Sequence, residues 1–192
     1  MPRITSDEYR FRLDALKVSV SRAGLALFVV TDLDSIYYLT GASFEPLERP
    51  FFLVVRPKES PLLLVPKLDH EHMKKAHTIP VENIHTYWEY PAPADRGWPD
   101  RLREHIGGVQ QIGVEPSLRQ EIACQLRGYS FRVEPLVERL RLVKSEAEIK
   151  MIRRAAQYAD FGVERLLTSS YFGATVAEGF AETREVTSRI IR

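Results

Sequence analysis

The sequence predicts an α/β domain, a mixed β-sheet with helices on both faces, followed by a tail that is helical throughout. Three observations carry this. Short apolar runs such as Leu25–Val30 recur between polar segments that open with helix caps, the pattern of strands covered on both faces. Two such runs, Phe51–Val55 and Leu62–Val65, are joined only by Arg56–Pro61, which reads as a hairpin and makes the sheet mixed rather than purely parallel. From Ser145 onward the apolar residues take up helical spacing and keep it.

The elements follow in order. Thr5 and Glu8 form a capping box for a first helix whose inward stripe is Tyr9, Leu13, Leu16 and Val20, and Gly24 stops it. Leu25–Val30 is the first strand. Thr31–Pro50 has no clear periodicity and is expected to be a long loop, of the kind that is functional or disordered in a compact domain. After the hairpin come a short helix from about Leu68 to Ala76 and a strand near Ile84–Tyr87. An aromatic, proline-rich loop runs from Tyr87 to Pro99. It leads to a helix at Arg101–Ile106 and a strand at Gln111–Val114. Pro116, Ser117 and Gln120 open another capped helix, with Leu118, Ile122 and Leu126 inward, before a last strand at Phe131–Val133.

Ser145 is then an N-cap to which the Glu148 carboxylate can reach back. Ile149, Ile152, Ala156, Ala159, Val163 and Leu166 make one narrow apolar seam, and Val176, Phe180, Thr183, Val186 and Ile190 a second stripe. Apolar surface left in water forfeits about 25 cal/mol per Å². These stripes are therefore expected to cover one another, fold back on the first domain, or meet another copy. The expected division is residues 1–140 and residues 141–192.

Composition narrows the function classes. The 192 residues are 44% hydrophobic and 28% charged, enough to bury a real core, and a net charge of +1 gives no electrostatic case for nucleic acid or an anionic membrane. No apolar run approaches the roughly 20 residues that span a bilayer. The single cysteine, Cys124, excludes an internal disulfide and suits a reducing compartment, so a cytoplasmic protein is expected. With no histidine near it in sequence, Cys124 reads as a half-buried helix thiol rather than a nucleophile. Asp69, His70, Glu71, His72 and His77 are the densest set of metal-ligand types. They do not recur on one helix face, and Lys74 and Lys75 sit among them, so they read as a solvated face. Gly107, Gly108 and Gly113 lie in no phosphate-loop pattern. No catalytic or metal-binding residue is expected in this chain.

Three separated stretches carry a resemblance. Arg141–Ser145 followed by Ala147-Glu148-Ile149, Ile152-Arg153, Ala155-Ala156 and Ala159–Gly162 resembles the domain junction of the creatinase/prolidase/aminopeptidase P family. Gly173-Ala174-Thr175 with Glu178 resembles the second helix start of that family's catalytic domain, and Asp34–Gly41 its early Tyr-Leu-Thr-Gly signature. The resemblance implies a creatinase/prolidase-type N-terminal α/β domain ahead of a "pita-bread" metallopeptidase domain, of which only the junction and first two helices are expected here. It implies a parent that hydrolyses the bond before proline, using two divalent ions (Mn, Co or Zn) held by two Asp, one His and two Glu. This chain has no aspartate after Asp160 and no histidine after His105, so it is expected to lack those ligands and to be inactive as it stands.

The same junction also serves a creatinase-like branch that hydrolyses a small guanidino substrate without metal. A stand-alone binding or dimerisation module with peptidase ancestry is a third reading. The resemblance further implies a homodimer in which N-terminal-domain loops reach the neighbouring subunit's active site, with peptide substrate bound only by the full-length parent. On that basis Glu45, Glu48, Arg49, Trp88 and Tyr90 are candidates for substrate access or subunit contact. Arg49 could hold a carboxylate bidentately, and an aromatic ring could pack on a proline.

Overall fold

Helix α1 (Ser6–Arg22) begins where the Thr5 hydroxyl accepts the Glu8 N–H, and it buries Tyr9, Leu13, Leu16 and Val20, with Arg12 among them. These observations come from a computed structural model that describes residues 3–45 and 47–191, with side chains given to Arg184 and at Ser188. Pro46 of the expected loop, and the Val186 and Ile190 side chains of the second stripe, therefore lie outside the described residues.

The first strand, β1 (Phe28–Val30), is shorter than its apolar run, and all three of its residues are buried. The next segment corrects the sequence reading. Residues 31–50 were expected to be irregular throughout, yet α2 (Leu33–Thr40) forms within them. The Asp32 carboxylate accepts the Ser35 N–H at its start, Ile36, Leu39 and Thr40 face inward, and Gly41 ends it in the left-handed region at φ 74°. Eight residues show too few turns for periodicity to stand out, but both caps were present in the sequence. Gly41 cannot be replaced cheaply, since an added Cβ would lie 2.7 Å from both His77 and Tyr9.

The hairpin of β2 (Phe52–Val55) and β3 (Leu62–Pro66) is antiparallel, as expected. The expected 68–76 helix is in fact a 3-10 turn at Lys67–Asp69 followed by one turn of α3 (His70–Met73), with only Met73 buried among these residues. β4 (Ile84–Tyr87) falls where the sequence placed it. α4 (Trp98–Ile106) starts earlier than expected because Pro99 fits the first helical turn. β5 (Gln111–Val114) leads to α5 (Gln120–Gln125), which has no side-chain cap, so the expected capping by Ser117 is not made. After β6 (Ser130–Val133) a helix unseen in the sequence, α6 (Leu136–Leu142), buries Leu136 and Val137; preceded by Pro135, it has no side-chain cap to announce it.

The strands order as β4-β3-β2-β1-β5-β6, and β2 alone runs antiparallel to its neighbours. Alternate residues of β1 to β4 feed two cores, and β5 and β6 only the second. Phe28, Val30, Leu53, Val55, Leu63 and Val65 meet α1, α2, α3 and α6 on one face. On the other, Leu27, Val29, Phe52, Val54, Leu64 and Ile112 meet α4 and α5. This is the mixed sheet covered on both faces that the apolar runs predict.

The chain divides into two units, Thr5–Val143 and Lys144–Arg192 with Met1–Ile4. In the second unit Ser145 and Glu148 form the full capping box of α7 (Glu146–Ser169). At α8 (Val176–Ile191) Thr175 and Glu178 exchange the same pair of bonds, at 2.7 and 3.3 Å. The two helices pack together, with Leu166 3.5 Å from where a Cβ on Gly179 would stand. Even so, α7 buries no residue, and Ile152, Val163, Val176 and Phe180 stay exposed.

Candidate functional site on the carboxyl rim of the sheet

Five parallel strands place their carboxyl ends on one rim, and the amino end of β2 joins them there. β1 and β5 are parallel neighbours whose following helices leave in opposite directions. α2 covers one face on the way to β2, and α5 covers the other on the way to β6. Such a reversal opens a crevice outside the strand ends, because the two connections cannot both cover it. A cleft of about 180 Å³ lies there, between the residues that follow β1, those that follow β5 and the approach to β2.

Arg49 stands on the approach to β2, half-buried, and pairs with the Asp69 carboxylate beyond β3 at 3.1 Å. The Tyr87 hydroxyl donates to the Pro50 carbonyl at 2.9 Å, fastening the same approach to β4; burial and the nearby Glu89 charge push its phenol well above the ordinary range. Trp88 lies half open to solvent with the Lys67 ammonium 3.8 Å from its ring centroid, a cation–π contact. Glu89 accepts the Leu68 N–H at 3.0 Å. The fold thus brings Arg49, Asp69, Lys67 and Trp88 onto the rim. Glu45 and Glu48 are exposed on the β2 approach, and Tyr90 is 99% exposed.

Sequence reasoning missed Glu115. It is 1% exposed, directly after β5, and its Oε2 accepts the N–H groups of Thr31 at 2.8 Å and Asp32 at 3.1 Å. Its Oε1 is buried without a partner among the described residues. Burial raises its pKa above the usual carboxylate value, although the bonds from Ser35, Asp32 and Thr31 act in the opposite direction. An acid immediately following an apolar strand was the available signal. Glu115 fixes the turn between β1 and α2, and beyond that turn Asp32 and Asp34 face Arg141 at 3.9 and 3.5 Å.

Of the Asp69–His77 set expected to be a solvated face, Glu71 is exposed, but Asp69 pairs with Arg49 and His77 stacks on Tyr9 with centroids 5.1 Å apart. His70 lies 3.3 Å from Glu71, Lys74 pairs with Glu71 at 2.5 Å, and His72 bonds the Ser43 carbonyl. No group of three or more metal-ligand side chains converges among the described residues. Cys124, expected to be half-buried, is exposed, because the short α5 turns only Ile122 fully inward. No helix among the described residues is long and apolar enough to cross a membrane.

Comparison with known proteins accounts for this architecture. A family model described as the creatinase/prolidase N-terminal domain matches residues 12–143. An Xaa-Pro dipeptidase of Pyrococcus horikoshii is 29% identical over 161 residues, covering 81% of this chain and 39% of that protein. Among solved structures, the prolidase from the same organism superposes with a TM-score of 0.71 at 21% identity, over 93% of this chain and 48% of that one. The creatinase/prolidase N-terminal domain of an X-Pro dipeptidase from Streptococcus pyogenes matches with a TM-score of 0.56 at 22% identity, over 69% of this chain and 98% of that one. Both structural likenesses are of fold. The chain spans less than half the length of the curated relatives it matches.

Proposed function

Since the chain belongs to the creatinase/prolidase N-terminal domain family, we propose that it forms the N-terminal portion of an Xaa-Pro dipeptidase-like hydrolase, with its sheet rim serving substrate access and subunit contact. The family match over residues 12–143 carries the reading. The capping boxes at Ser145 and Thr175 support it, since they start two helices where a catalytic domain of that kind would begin. The whole enzyme would cut the bond before proline, with two divalent ions (Mn, Co or Zn) supplying the activated water. On this reading the chain's own part is to position and assemble. We place the protein in the cytoplasm, as a homodimer.

Within that enzyme Arg49, with its fork-shaped guanidinium on the rim, would bind a carboxylate of the substrate or of the neighbouring subunit. Trp88 and Tyr90 would supply apolar contact, and Glu45 and Glu48 would line the approach. The test is Arg49→Ala in a longer protein that carries this segment. Turnover of an Xaa-Pro dipeptide should fall by roughly tenfold or more, the scale of a lost charge-assisted pair. The thermal midpoint of the present chain should move little, because a pair near the surface is worth about 0–1 kcal/mol. Unchanged turnover would remove the role of Arg49.

A further inference from the structure

The cleft between the ends of β1 and β5 lies wholly within the first unit and is formed by this chain alone. From its lining we propose that it binds a free α-amino acid with a compact apolar side chain. This site shares Arg49 with the rim of the proposed function, but it needs neither a second subunit nor a catalytic domain, so it can be tested on this chain alone.

The chemistry of the walls selects the ligand. Arg119, on the β5–α5 segment, and Arg49, on the β2 approach, both line the cleft. Each already holds one carboxylate, Glu121 at 3.0 Å and Asp69 at 3.1 Å, and a guanidinium has five donors, so each retains capacity for another. Asp32, on the β1–α2 corner, also lines the cleft; its Oδ2 accepts the Ser35 N–H at 3.0 Å and lies 3.9 Å from Arg141. A ligand with only a negative charge would meet Asp32, and one with only a positive charge would meet two arginines. A zwitterion satisfies both walls, its carboxylate toward the guanidinium groups and its ammonium toward Asp32.

The remaining surface is mostly apolar, Thr31 and Ser117 excepted, and includes the stacked pair Phe44 and Phe51, centroids 3.9 Å apart, together with Ile122. The volume matches a side chain rather than a larger molecule. An apolar cavity of about 150 Å³ accepts benzene, and this cleft offers about 180 Å³. Glu115 sharpens the assignment. Its carboxyl group takes the Thr31 and Asp32 N–H groups and the Asp32 carboxylate takes the Ser35 N–H, so the β1–α2 corner is already supplied with acceptors and the ligand's carboxylate is assigned to the arginines.

Titration calorimetry of the whole chain with L-leucine tests this, alongside 4-methylpentanoate, which lacks the ammonium, and 3-methylbutylamine, which lacks the carboxylate. Leucine should saturate one site, and each analogue should bind roughly tenfold or more weakly, the scale of one lost charge-assisted contact. Asp32→Asn keeps a competent N-cap while removing the charge. It should weaken leucine by a similar factor and leave 4-methylpentanoate no weaker. Arg119→Gln should weaken both carboxylates. Absence of saturation by leucine at tens of millimolar, with the chain folded by circular dichroism, would overturn the proposal. So would binding that neither substitution alters, since the ligand would then sit elsewhere.

Discussion

Phe28 and Ile152 are both large apolar residues in the middle of a regular element, yet Phe28 is fully buried and Ile152 is 55% exposed. The contrast extends to the two units they belong to. In Thr5–Val143 strands β1 to β4 present side chains to two cores, because α1, α2, α3 and α6 cover one face and α4 and α5 the other; β5 and β6 feed only the second. In the helical unit, α7 and α8 carry equally regular stripes but bury none of α7. Amphipathic patterning thus specifies an element and the face it can bury; burial needs a second layer to close on that face. The sheet unit has its layers, and the helix pair shows its stripes open.

Core truncation should produce the largest difference between the units. Phe28→Ala removes a side chain with no exposed surface and should cost about 3–5 kcal/mol. Ile152→Ala, at an exposed position of α7, should change stability by about 0.5 kcal/mol or less. Urea unfolding followed by tryptophan fluorescence reads the sheet unit selectively. Both tryptophans lie in it, and Trp98 packs on Phe52 with centroids 5.1 Å apart. A cost for Ile152→Ala approaching that of Phe28→Ala would show that the α7 seam is covered in solution and would break the comparison.

How much of this was legible in the sequence follows the same line. Continuous apolar runs identified β1, β2 and β3 correctly because a strand covered twice needs no polar alternation. The N-caps at Thr5 and Ser145 fixed two helix starts to the residue, Ser145 with its full capping box and Thr5 through its hydroxyl on the Glu8 N–H, while the Glu8 carboxylate accepts from Arg12. Helix α2 escaped because eight residues give little periodicity, and α6 because no side chain caps it. At the site, Arg49 could be singled out as a charged residue on a loop, but its partner Asp69 lies twenty positions on and is brought near only by the hairpin. Glu115 offered only the signal of an acid following a strand, for a related reason. Its hydrogen-bond partners, Thr31 and Asp32, come from the neighbouring parallel strand, and only the sheet order makes them adjacent.

Two glycines sharpen the comparison at intermediate scale. A Cβ at Gly113 would lie 2.6 Å from Leu25 Cδ1 and 2.7 Å from Phe28 Cδ2, inside a packed layer that has no room to yield. Gly113→Ala should cost about 1–3 kcal/mol through overpacking. Gly162, within α7, meets nothing within 4 Å. Gly162→Ala should therefore stabilise that helix by about 0.5–1 kcal/mol, the intrinsic difference between the residues in a helix interior. Circular dichroism melts of both variants measure the opposite signs. Destabilisation by Gly162→Ala would mean that α7 meets a close surface at that turn.

The pH dependence also divides the units, because the helical unit contains no histidine. His85 on β4 and His105 on α4 lie ring to ring with centroids 4.5 Å apart, and His105 Nε2 is buried without a partner among the described residues. Burial first, then His85, Arg101 and Arg56, lower the His105 pKa to about 4; Glu104 alone opposes them. Burial and Arg101 lower His85 as well, against Glu104. Both groups are thus harder to protonate folded than unfolded, where the ordinary value is 6.5. Above 6.5 neither state takes the proton and the contribution to stability is complete. Between 6.5 and about 4 the unfolded chain binds protons that the folded chain refuses, so stability falls as pH falls through that window. Carboxylates titrate in its lower part, so the comparison is with His105→Gln, which keeps a polar side chain without the titration. The fluorescence-detected urea midpoint of the native sequence should drop more steeply from pH 6.5 to 4.5 than that of the variant. Parallel pH profiles would show that His105 is freely protonated in the folded sheet unit and that α4 does not seal it against β4.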